Sequence, residues 1–242
     1  MIIDAHAHLM EDTNTNEHFL RECKRLGIDM ICGFGPPDSN EVTRAFMEKH
    51  PKSVIGFCSV IPDDEGRAVD EFASCVQDHG MRGLKLLLHR KATDPAVFRL
   101  AEKSVQLGVP ILIHTFMRRG IMPERDARFP NESDATDIAE LARNYPDAMI
   151  IMAHFSVGDW EYGIKAVKGF DNVYLDMSGT GVDLGSVEMA VKQVGGRRVV
   201  FGTDNLILAA LGKLSGAMID EETRELISSA NILRLLSRKG RL

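Results

Sequence analysis

The first strand-like segment of the chain carries two histidines at a spacing that suits metal binding. Polar and apolar residues alternate through residues 3–8, with Asp4, His6 and His8 separated by alanines. Because successive side chains of a strand point to opposite faces, we expect His6 and His8 to project from one face with Asp4 beside them. Two such imidazoles reach one metal ion, and a nearby carboxylate orients an imidazole through its second nitrogen. The alternative is a pair of solvated or core histidines near the amino terminus.

Four further polar residues interrupt or end apolar segments later in the chain. Lys85 lies within residues 83–88, and His114, His154 and Asp204 follow residues 110–113, 150–153 and 200–203. Each also has a plain structural interpretation: a lone histidine is commonly a hydrogen-bonded core residue, Asp204 would cap a helix, and Lys85 would extend to solvent. The repetition favours one joint site, and imidazole nitrogens with a carboxylate are ligands for zinc, manganese, iron or cobalt.

Eight short apolar segments must position these residues, and each of them is followed by a segment with helical periodicity. The segments begin near Ile2, Ile28, Ser53, Arg82, Val109, Met149, Val173 and Val199. Their starts lie about 24–29 residues apart, with one interval of about 40, which leaves room for one helix and two loops per repeat. Asn40, Asp94 before Pro95, and Ser133 or Asp134 are predicted helix caps, and residues 221–237 predict a final helix that packs on the outside.

Eight such repeats predict an α/β protein with the (β/α)8 TIM-barrel fold, as a single domain over residues 1–242. An open parallel sheet would usually have fewer strands and a glycine-rich phosphate loop after the first one, and the sequence contains no such loop. In a barrel the carboxyl ends of the strands form the active-site face. The polar residues named above fall at those ends.

The composition of the chain indicates which kinds of partner it binds. The chain has 242 residues, 44% hydrophobic and 26% charged, with a net charge of −6 and a pI near 5.8. The acidic balance argues against nucleic acid or an anionic membrane, and no apolar run approaches the ~18 residues of a membrane span. No secretory signal is visible, and the four cysteines lack metal-site spacing, so we expect reduced thiols in a cytoplasmic protein. A small-molecule partner is expected.

With these residues the sequence resembles the amidohydrolase superfamily, specifically its branch called amidohydrolase 2. That branch includes the aminocarboxymuconate-semialdehyde decarboxylase-like enzymes. The similar segments run in the family's order: residues 3–8, 82–86, 108–114, 152–154, 172–179, 200–204 and 230–236. The resemblance implies that His6, His8, His114 and Asp204 ligate a catalytic divalent metal, commonly zinc, and that His154 holds a metal-bound water or a substrate oxygen. It also implies a homo-oligomer.

The resemblance leaves the number of metal ions open. In two-metal members, a carbamylated lysine on the fourth strand bridges the ions, and the histidines of the fifth and sixth strands bind the second ion. Lys85, His114 and His154 occupy the corresponding strands. Lysine also recurs at this position in one-metal members, so one or two ions remain open.

Three functions fit such a site. The first is hydrolysis of a small amide, ester or lactone by metal-activated water, with Asp204 transferring the proton and His154 stabilising the oxyanion. The second, by analogy with the family branch, is non-oxidative decarboxylation of an unsaturated or aromatic acid. The third is a barrel whose metal has no catalytic role, which an open coordination position makes the weakest of the three.

A long interval follows His114 and is rich in arginine. Residues 115–131 contain Arg118, Arg119, Arg125 and Arg128, interleaved with Phe116 and Phe129. Long loops on a catalytic face are usually functional, and arginine pairs well with carboxylates, so Arg118 and Arg119 are predicted to bind an acidic group of the substrate. The alternative is a solvated loop whose arginines pair with Glu124, Asp126 and Glu132.

Overall fold

The computed structural model describes residues 1–37, 39–179 and 183–237, in which strands and helices alternate. The strands are β1 (Ile3–His8), β2 (Met30–Phe34), β3 (Val54–Gly56), β4 (Cys58–Ser59), β5 (Leu84–Leu86), β6 (Ile111–Ile113), β7 (Ile150–Met152), β8 (Val173–Asp176) and β9 (Val199–Val200). The helices are α1 (Thr13–Arg25), α2 (Asn40–Lys49), α3 (Arg67–Gln77), α4 (Pro95–Leu107), α5 (Pro123–Arg128), α6 (Ala135–Asn144), α7 (Trp160–Val167), α8 (Ser186–Val194), α9 (Ile207–Gly216), α10 (Glu221–Glu225) and α11 (Asn231–Leu236).

The strands pair in chain order, all parallel, and close into a barrel. They form the sheets β1-β2-β3 and β4-β5-β6-β7-β8-β9. The two sheets join at Phe57, whose N–H donates to the carbonyl of Gly33 at 2.8 Å, and β3 and β4 are therefore two parts of one predicted strand. At the other seam, the N–H of Ala5 donates to the carbonyl of Phe201 at 2.9 Å. The predicted (β/α)8 TIM barrel is confirmed.

The barrel has two apolar layers. Inside it, the side chains of Ile3, Ala5, Phe34 and Phe57 pack together with others from the facing strands. Outside it, a larger cluster fills the space between the strands and the surrounding helices. Strands buried on both faces explain why the sequence shows short apolar runs and no strict alternation.

Two of the predicted caps are present, and one prediction was wrong. Asp94 accepts a hydrogen bond at the start of α4, with Pro95 in the first helical position, and Asp134 forms a capping box at the start of α6. Asn40 is the first residue of α2 and does not cap it. Its side-chain amide instead pairs with the backbone of Ser59, accepting from the N–H at 2.8 Å and donating to the carbonyl at 3.0 Å.

The predicted final helix is the closing helix of the barrel: it lies over the end opposite the histidines and packs into the interior as well as on the outside. α10, a π-helical turn (Leu226–Ala230) and α11 follow one another without a break. Ile232, Leu235 and Leu236 pack into the interior cluster, while the side chain of Asn231 donates to the carbonyls of Gly196 and Val199, both at 2.7 Å. These contacts seal the barrel where its strands begin.

Among the described helices, none has the length and apolar character needed to cross a bilayer. Residues 238–242 of the proposed domain lie outside the described residues.

Candidate metal centre

The carboxyl ends of the strands bring most of the predicted site residues together. His6 and His8 come from β1 and Lys85 from β5, while His114, His154 and Asp204 lie just after β6, β7 and β9. The imidazole rings of His6 and His8 have centroids 5.4 Å apart, and those of His6 and His154 are 4.9 Å apart. The Nε2 atoms of His8 and His6 lie 3.0 Å and 3.5 Å from Oδ1 of Asp204.

A break in the regular register of β1 explains how both of its histidines face inward. Ile3 and Ala5 belong to the interior cluster, but Ala7 packs with the outer one. The pairing with β2 is irregular between Asp4 and Ala7, and a bulge of this kind shifts the alternation by one residue. His6 therefore follows an inward residue and still points inward.

The same irregularity makes the prediction for Asp4 wrong. Because Asp4 lies between two inward residues, its side chain is not on the face of the imidazoles. Its carboxylate accepts hydrogen bonds from the backbone N–H of His6 (2.9 Å) and from the N–H and hydroxyl of Thr203 (2.8 and 2.6 Å). Asp4 thus ties β1 to the segment that leads to Asp204, and it orients no ring.

Asp176, at the end of β8, takes the role expected of Asp4. Its Oδ2 lies 2.7 Å from Nδ1 of His6, and the hydroxyl of Ser178 donates to the same oxygen at 2.5 Å. With its proton committed, that hydroxyl accepts from Nδ1 of His154 at 2.8 Å. This network assigns the Nδ1–H tautomer to both imidazoles and directs the Nε2 lone pairs of His6 and His154 into the site.

His114 presents its other nitrogen to the same space. Its Nε2 lies 2.9 Å from Oε1 of Glu132, and its Nδ1 lies 3.3 Å from Nε2 of His154. Since Nε2 donates to the carboxylate, the nitrogen that faces His154 carries a lone pair. Two lone pairs facing each other at this distance repel unless a cation lies near them, so the arrangement suits a metal ion.

Burial sets the charge of these groups. It lowers the pKa of His6 and His154 well below the usual histidine value, and it lowers that of His114 as well. Burial acts the other way on Asp204, but the hydrogen bond with His8 and the neighbouring His6 and His154 outweigh it and lower the pKa of this carboxyl. Neutral imidazoles beside an ionised carboxylate are the protonation states that metal ligation requires.

Lys85 lies inside the barrel, as predicted from its place in an apolar strand. Its side chain is fully buried, with Nζ 3.0 Å from Nε2 of His6 and 4.9 Å from the centroid of the Phe34 ring. Burial lowers the pKa of its ammonium to about 8, although Asp204 and Asp176 act in the opposite direction. The lysine is therefore part of the site and not a residue that extends to solvent.

Unusual backbone conformations occur at the two turns that carry His154 and Asp204. His154, Phe155 and Ser156 have φ of 64°, 53° and 70°, and Asp204 and Asn205 have φ of 52° and 60°. Left-handed conformations of non-glycine residues are unfavourable and cluster at functional sites. The surrounding structure holds the turn at Asp204 and Asn205, since the side chain of Asn205 accepts from the N–H of His8 at 2.8 Å and donates to its carbonyl at 2.9 Å.

Two glycines allow the strands to approach the ligands closely. A Cβ at Gly202 would lie 2.2 Å from Oδ1 of Asp176 and 3.0 Å from Cβ of His6. A Cβ at Gly179, which has φ of +90°, would lie 3.1 Å from Nδ1 of His154. Any other residue at Gly202 would displace the carboxylate that orients His6.

The donor set fits a divalent metal. One atom each from His6, His154 and Asp204 lie within 4.8 Å of one another, and His8 and His114 contact this group. The side chains of His8 and Asp204 are 33% and 27% exposed, whereas that of His6 is fully buried. The site is therefore open to solvent on one side only.

The predicted substrate arginines do not join the cluster. The guanidinium of Arg119 donates to the carbonyls of Phe129, Pro130 and Glu132, and its Nη1 lies 3.8 Å from Asp126. The loop itself uses this side chain, which favours the alternative of internal pairing, and substrate binding by Arg119 stays a prediction. Arg118 lies over the ring of Tyr162 at 4.8 Å, with Nε 3.7 Å from Asp159, and about half of its side chain is exposed.

Sequence reasoning assigned no role to Asp176 or Ser178, and it named Glu132 only as an alternative partner of the loop arginines. Asp176 ends an apolar strand as Asp204 nearly does, so the criterion that found Asp204 would also have found it. Ser178 follows two residues later and has no distinctive signal of its own. Glu132 lies in a long non-periodic loop, 18 residues from His114, and no pattern marks it.

Comparison with known proteins agrees with the fold. No curated protein matches the sequence. Among solved structures, 2,6-dihydroxybenzoate decarboxylase from Rhizobium is 16% identical with a TM-score of 0.75, covering 97% of this chain and 98% of that one. A 5-carboxyvanillate decarboxylase from Novosphingobium aromaticivorans, complexed with manganese and 4-hydroxy-3-methoxy-5-nitrobenzoic acid, is 14% identical with a TM-score of 0.73, covering 98% and 96%.

A further structure, from Pseudomonas putida, is described as a 2-pyrone-4,6-dicarboxylic acid hydrolase. It is 17% identical with a TM-score of 0.69, and the match covers 97% of each chain. At such identities these likenesses concern the fold. The family model for amidohydrolases matches residues 26–236, which is most of the sequence. The chain therefore belongs to the amidohydrolase family.

Proposed function

We propose that this chain is a metal-dependent hydrolase that cleaves a small amide, ester or lactone at the carboxyl end of its barrel. His6, His8, His114, His154 and Asp204 would hold one or two divalent ions, with Lys85 as a further ligand if two are bound. The observation that carries the proposal is an ionised, partly exposed Asp204 beside the imidazoles of His6 and His8. A metal held only for structure would be enclosed, so this half-open arrangement supports catalysis.

The metal would polarise the carbonyl group and lower the pKa of water. Zinc, manganese, iron and cobalt all suit nitrogen ligands with one carboxylate. The other parts of the reaction belong to side chains of the chain. Asp204 accepts the proton of the attacking water and returns it to the leaving group. In a one-metal centre Lys85 would remain an ammonium and place a buried positive charge beside His6, which favours the negative charge that develops on the carbonyl oxygen.

The hydrogen bonds of His154 favour ligation over the oxyanion role expected from the sequence. Its Nδ1–H is directed to Ser178, and its Nε2 faces His114 with a lone pair. A nitrogen without a proton cannot donate to an oxyanion. We therefore assign His154 to the metal centre and the stabilisation of charge to Lys85.

Replacement of Asp204 by asparagine tests the proton transfer. The amide keeps the shape of the side chain but cannot accept a proton, so we expect Asp204→Asn to keep the fold and part of the metal and to lose turnover by at least about 10²-fold. Turnover is measured against a panel of esters, lactones and amides, with circular dichroism and metal analysis on the same samples. The control is Asp70→Asn, an exposed aspartate on α3, which should behave as wild type. Wild-type turnover by Asp204→Asn would exclude Asp204 as the proton acceptor.

Non-oxidative decarboxylation of a small unsaturated or aromatic acid is the second candidate. Two of the similar structures are decarboxylases named for dihydroxybenzoate and carboxyvanillate, and a buried lysine in the site would attract a carboxylate. The two reactions differ in their use of water. In H₂¹⁸O a hydrolase incorporates one labelled oxygen into the acid product, whereas a decarboxylase releases carbon dioxide and places a proton on carbon. Release of carbon dioxide without label in the other product would replace the first proposal by the second.

We further propose that Arg118 contacts an acidic group of the substrate. It lies on the loop after β6, and half of its side chain remains exposed. Replacing Arg118 by glutamine should raise KM for an acidic substrate about 10-fold or more, because a charge-assisted hydrogen bond is lost, and should leave kcat nearly unchanged. Arg128→Gln, on the same loop, is the control. An unchanged KM in Arg118→Gln would remove this residue from the substrate site.

A further inference from the structure

The loop between β6 and α6 is folded around the carboxylate of Glu132. This side chain is 7% exposed. Its Oε1 accepts from Nε2 of His114 at 2.9 Å and from Nη2 of Arg125 at 2.7 Å, and its Oε2 accepts from Nε of Arg125 at 2.8 Å. A buried carboxylate that bridges an imidazole and a two-pronged guanidinium has little freedom to move.

Arg125, which binds Glu132, is itself packed against aromatic rings of the loop. It comes from the short helix α5, and its guanidinium lies 3.5 Å from the ring centroid of Phe116 and 4.9 Å from that of Phe129. Arg119 completes the arrangement, because its guanidinium donates to the carbonyl of Glu132 itself at 3.2 Å. The position of Glu132 therefore depends on the whole loop being folded.

Glu132 affects the proposed metal centre through the imidazole of His114. The bond to Glu132 places the proton of His114 on Nε2, so that Nδ1 is the nitrogen that faces His154 at 3.3 Å. Without that acceptor, the ring would be free to rotate or to change tautomer, and a protonated Nδ1 would be directed at the ligand cluster. Partners of this kind commonly change metal affinity by about 10–100-fold.

We propose that Glu132 is a positioning residue for His114 and that Arg125, through Glu132, couples folding of the β6–α6 loop to metal binding. The inference rests on the proposed metal centre and not on the identity of the reaction. Coupling of this kind is reciprocal. A bound metal stabilises the folded loop, and the folded loop raises the metal affinity by the same factor.

Two substitutions and a matched control test the proposal on the full-length protein. Glu132→Gln removes the charge that Arg125 and His114 share, and Arg125→Lys keeps the positive charge but loses the fork-shaped pairing. Arg128→Lys makes the same change on the same helix, at an exposed residue that contacts the ring of Phe129 and not Glu132. Affinity for cobalt(II) and zinc is measured by competition with a chelator, and loop folding is measured by the rate of trypsin cleavage after Arg118, Arg119 and residue 125, with and without metal.

We expect Glu132→Gln and Arg125→Lys to bind metal about 10–100-fold more weakly than wild type and to lose the protection from trypsin that metal gives the wild-type loop. Arg128→Lys should match wild type in both measurements. The visible spectrum of the cobalt form should also change in Glu132→Gln, because one imidazole is no longer oriented. Circular dichroism identifies a variant that has not folded. The other of the two variants, Glu132→Gln or Arg125→Lys, then tests the coupling.

The outcomes separate this inference from the proposed reaction. If wild type binds metal and both variants match Arg128→Lys, the coupling is refuted while the metal centre stands. If the affinities differ as expected but no substrate is turned over, the coupling stands and the hydrolase proposal fails. If wild type binds no divalent metal, both are refuted.

Discussion

Asp176 shows how a buried carboxylate controls a site that it does not enter. Its Oδ2 accepts from His6 and from Ser178, and Ser178 in turn accepts from His154. One carboxylate thus determines which nitrogen of two different imidazoles is free. Gly202 is required beside it, because a Cβ at this position would lie 2.2 Å from the Oδ1 atom of Asp176.

Replacing Asp176 by asparagine should separate this control from direct ligation. Asparagine keeps the volume, but the negative charge is lost and the amide is able to present a donor to His6, so we expect metal affinity to fall about 10–100-fold. Chelator competition measures the affinity, and Asp70→Asn is the exposed control. An affinity within about twofold of wild type would mean that Asp176 does not orient His6 for the metal.

The residues of the centre could be recognised from sequence to different extents. A polar residue in or at the end of an apolar strand needs a partner, and this criterion identified six residues. They are His6, His8, Lys85, His114, His154 and Asp204. The role of Asp4 could not be predicted correctly, because alternation assumes a regular strand and the register of β1 shifts between Asp4 and Ala7. The internal pairing of Arg119 could not be predicted either, since composition does not reveal which loop carbonyls a guanidinium will bind.

At the scale of elements, the periodic segments were predictable and their interruptions were not. All eight apolar segments contain strands, but the third is divided at Phe57 into β3 and β4. Nothing in the order of apolar residues marks that division. The long β6–α6 loop was recognised by its length, and Glu132 was named as an alternative partner of its arginines. The helix α5 and the bond between Glu132 and His114 depend on contacts that no local pattern encodes.

The closing helix offers a test of an element that is remote from the site. The Asn231 side chain is fully buried and donates to the carbonyls of Gly196 and Val199. Asn231→Ala leaves both carbonyls without this donor, so we expect a free energy of unfolding lower by about 1–3 kcal/mol for each carbonyl that stays unpaired. Each kcal/mol corresponds to a Tm lower by about 2–4 °C for a domain of this size.

Thermal or denaturant unfolding measures the effect of Asn231→Ala, and metal content serves as the internal control. Because the substitution lies at the opposite end of the barrel, metal content at low temperature should equal that of wild type. An unchanged Tm would show that water or a shifted backbone satisfies both carbonyls. Loss of metal together with stability would show that the two ends of the barrel are not independent.

For the whole molecule, the arrangement of the barrel explains why widely separated residues form one site. His6 and Asp176 are 170 positions apart in sequence and 2.7 Å apart in space. Parallel strands in chain order carry every strand end to the same rim, so counting eight βα repeats was sufficient to predict that polar residues at the strand ends lie near one another. The chemistry at the rim depends on tautomers and loop contacts, and these are properties of the folded molecule alone.

The most direct test of the metal centre is the metal content of the purified chain. It is measured after reconstitution with zinc or manganese and removal of excess ions. Elemental analysis should find one or two divalent ions per wild-type chain, and a much lower content in the double variant His6→Ala, Asp204→Ala, with Asp70→Asn equal to wild type. Intact mass in parallel identifies carbon dioxide bound to Lys85, which should accompany a second ion. A wild-type chain without metal after reconstitution, or a double variant that retains the full content, would contradict the metal centre described above.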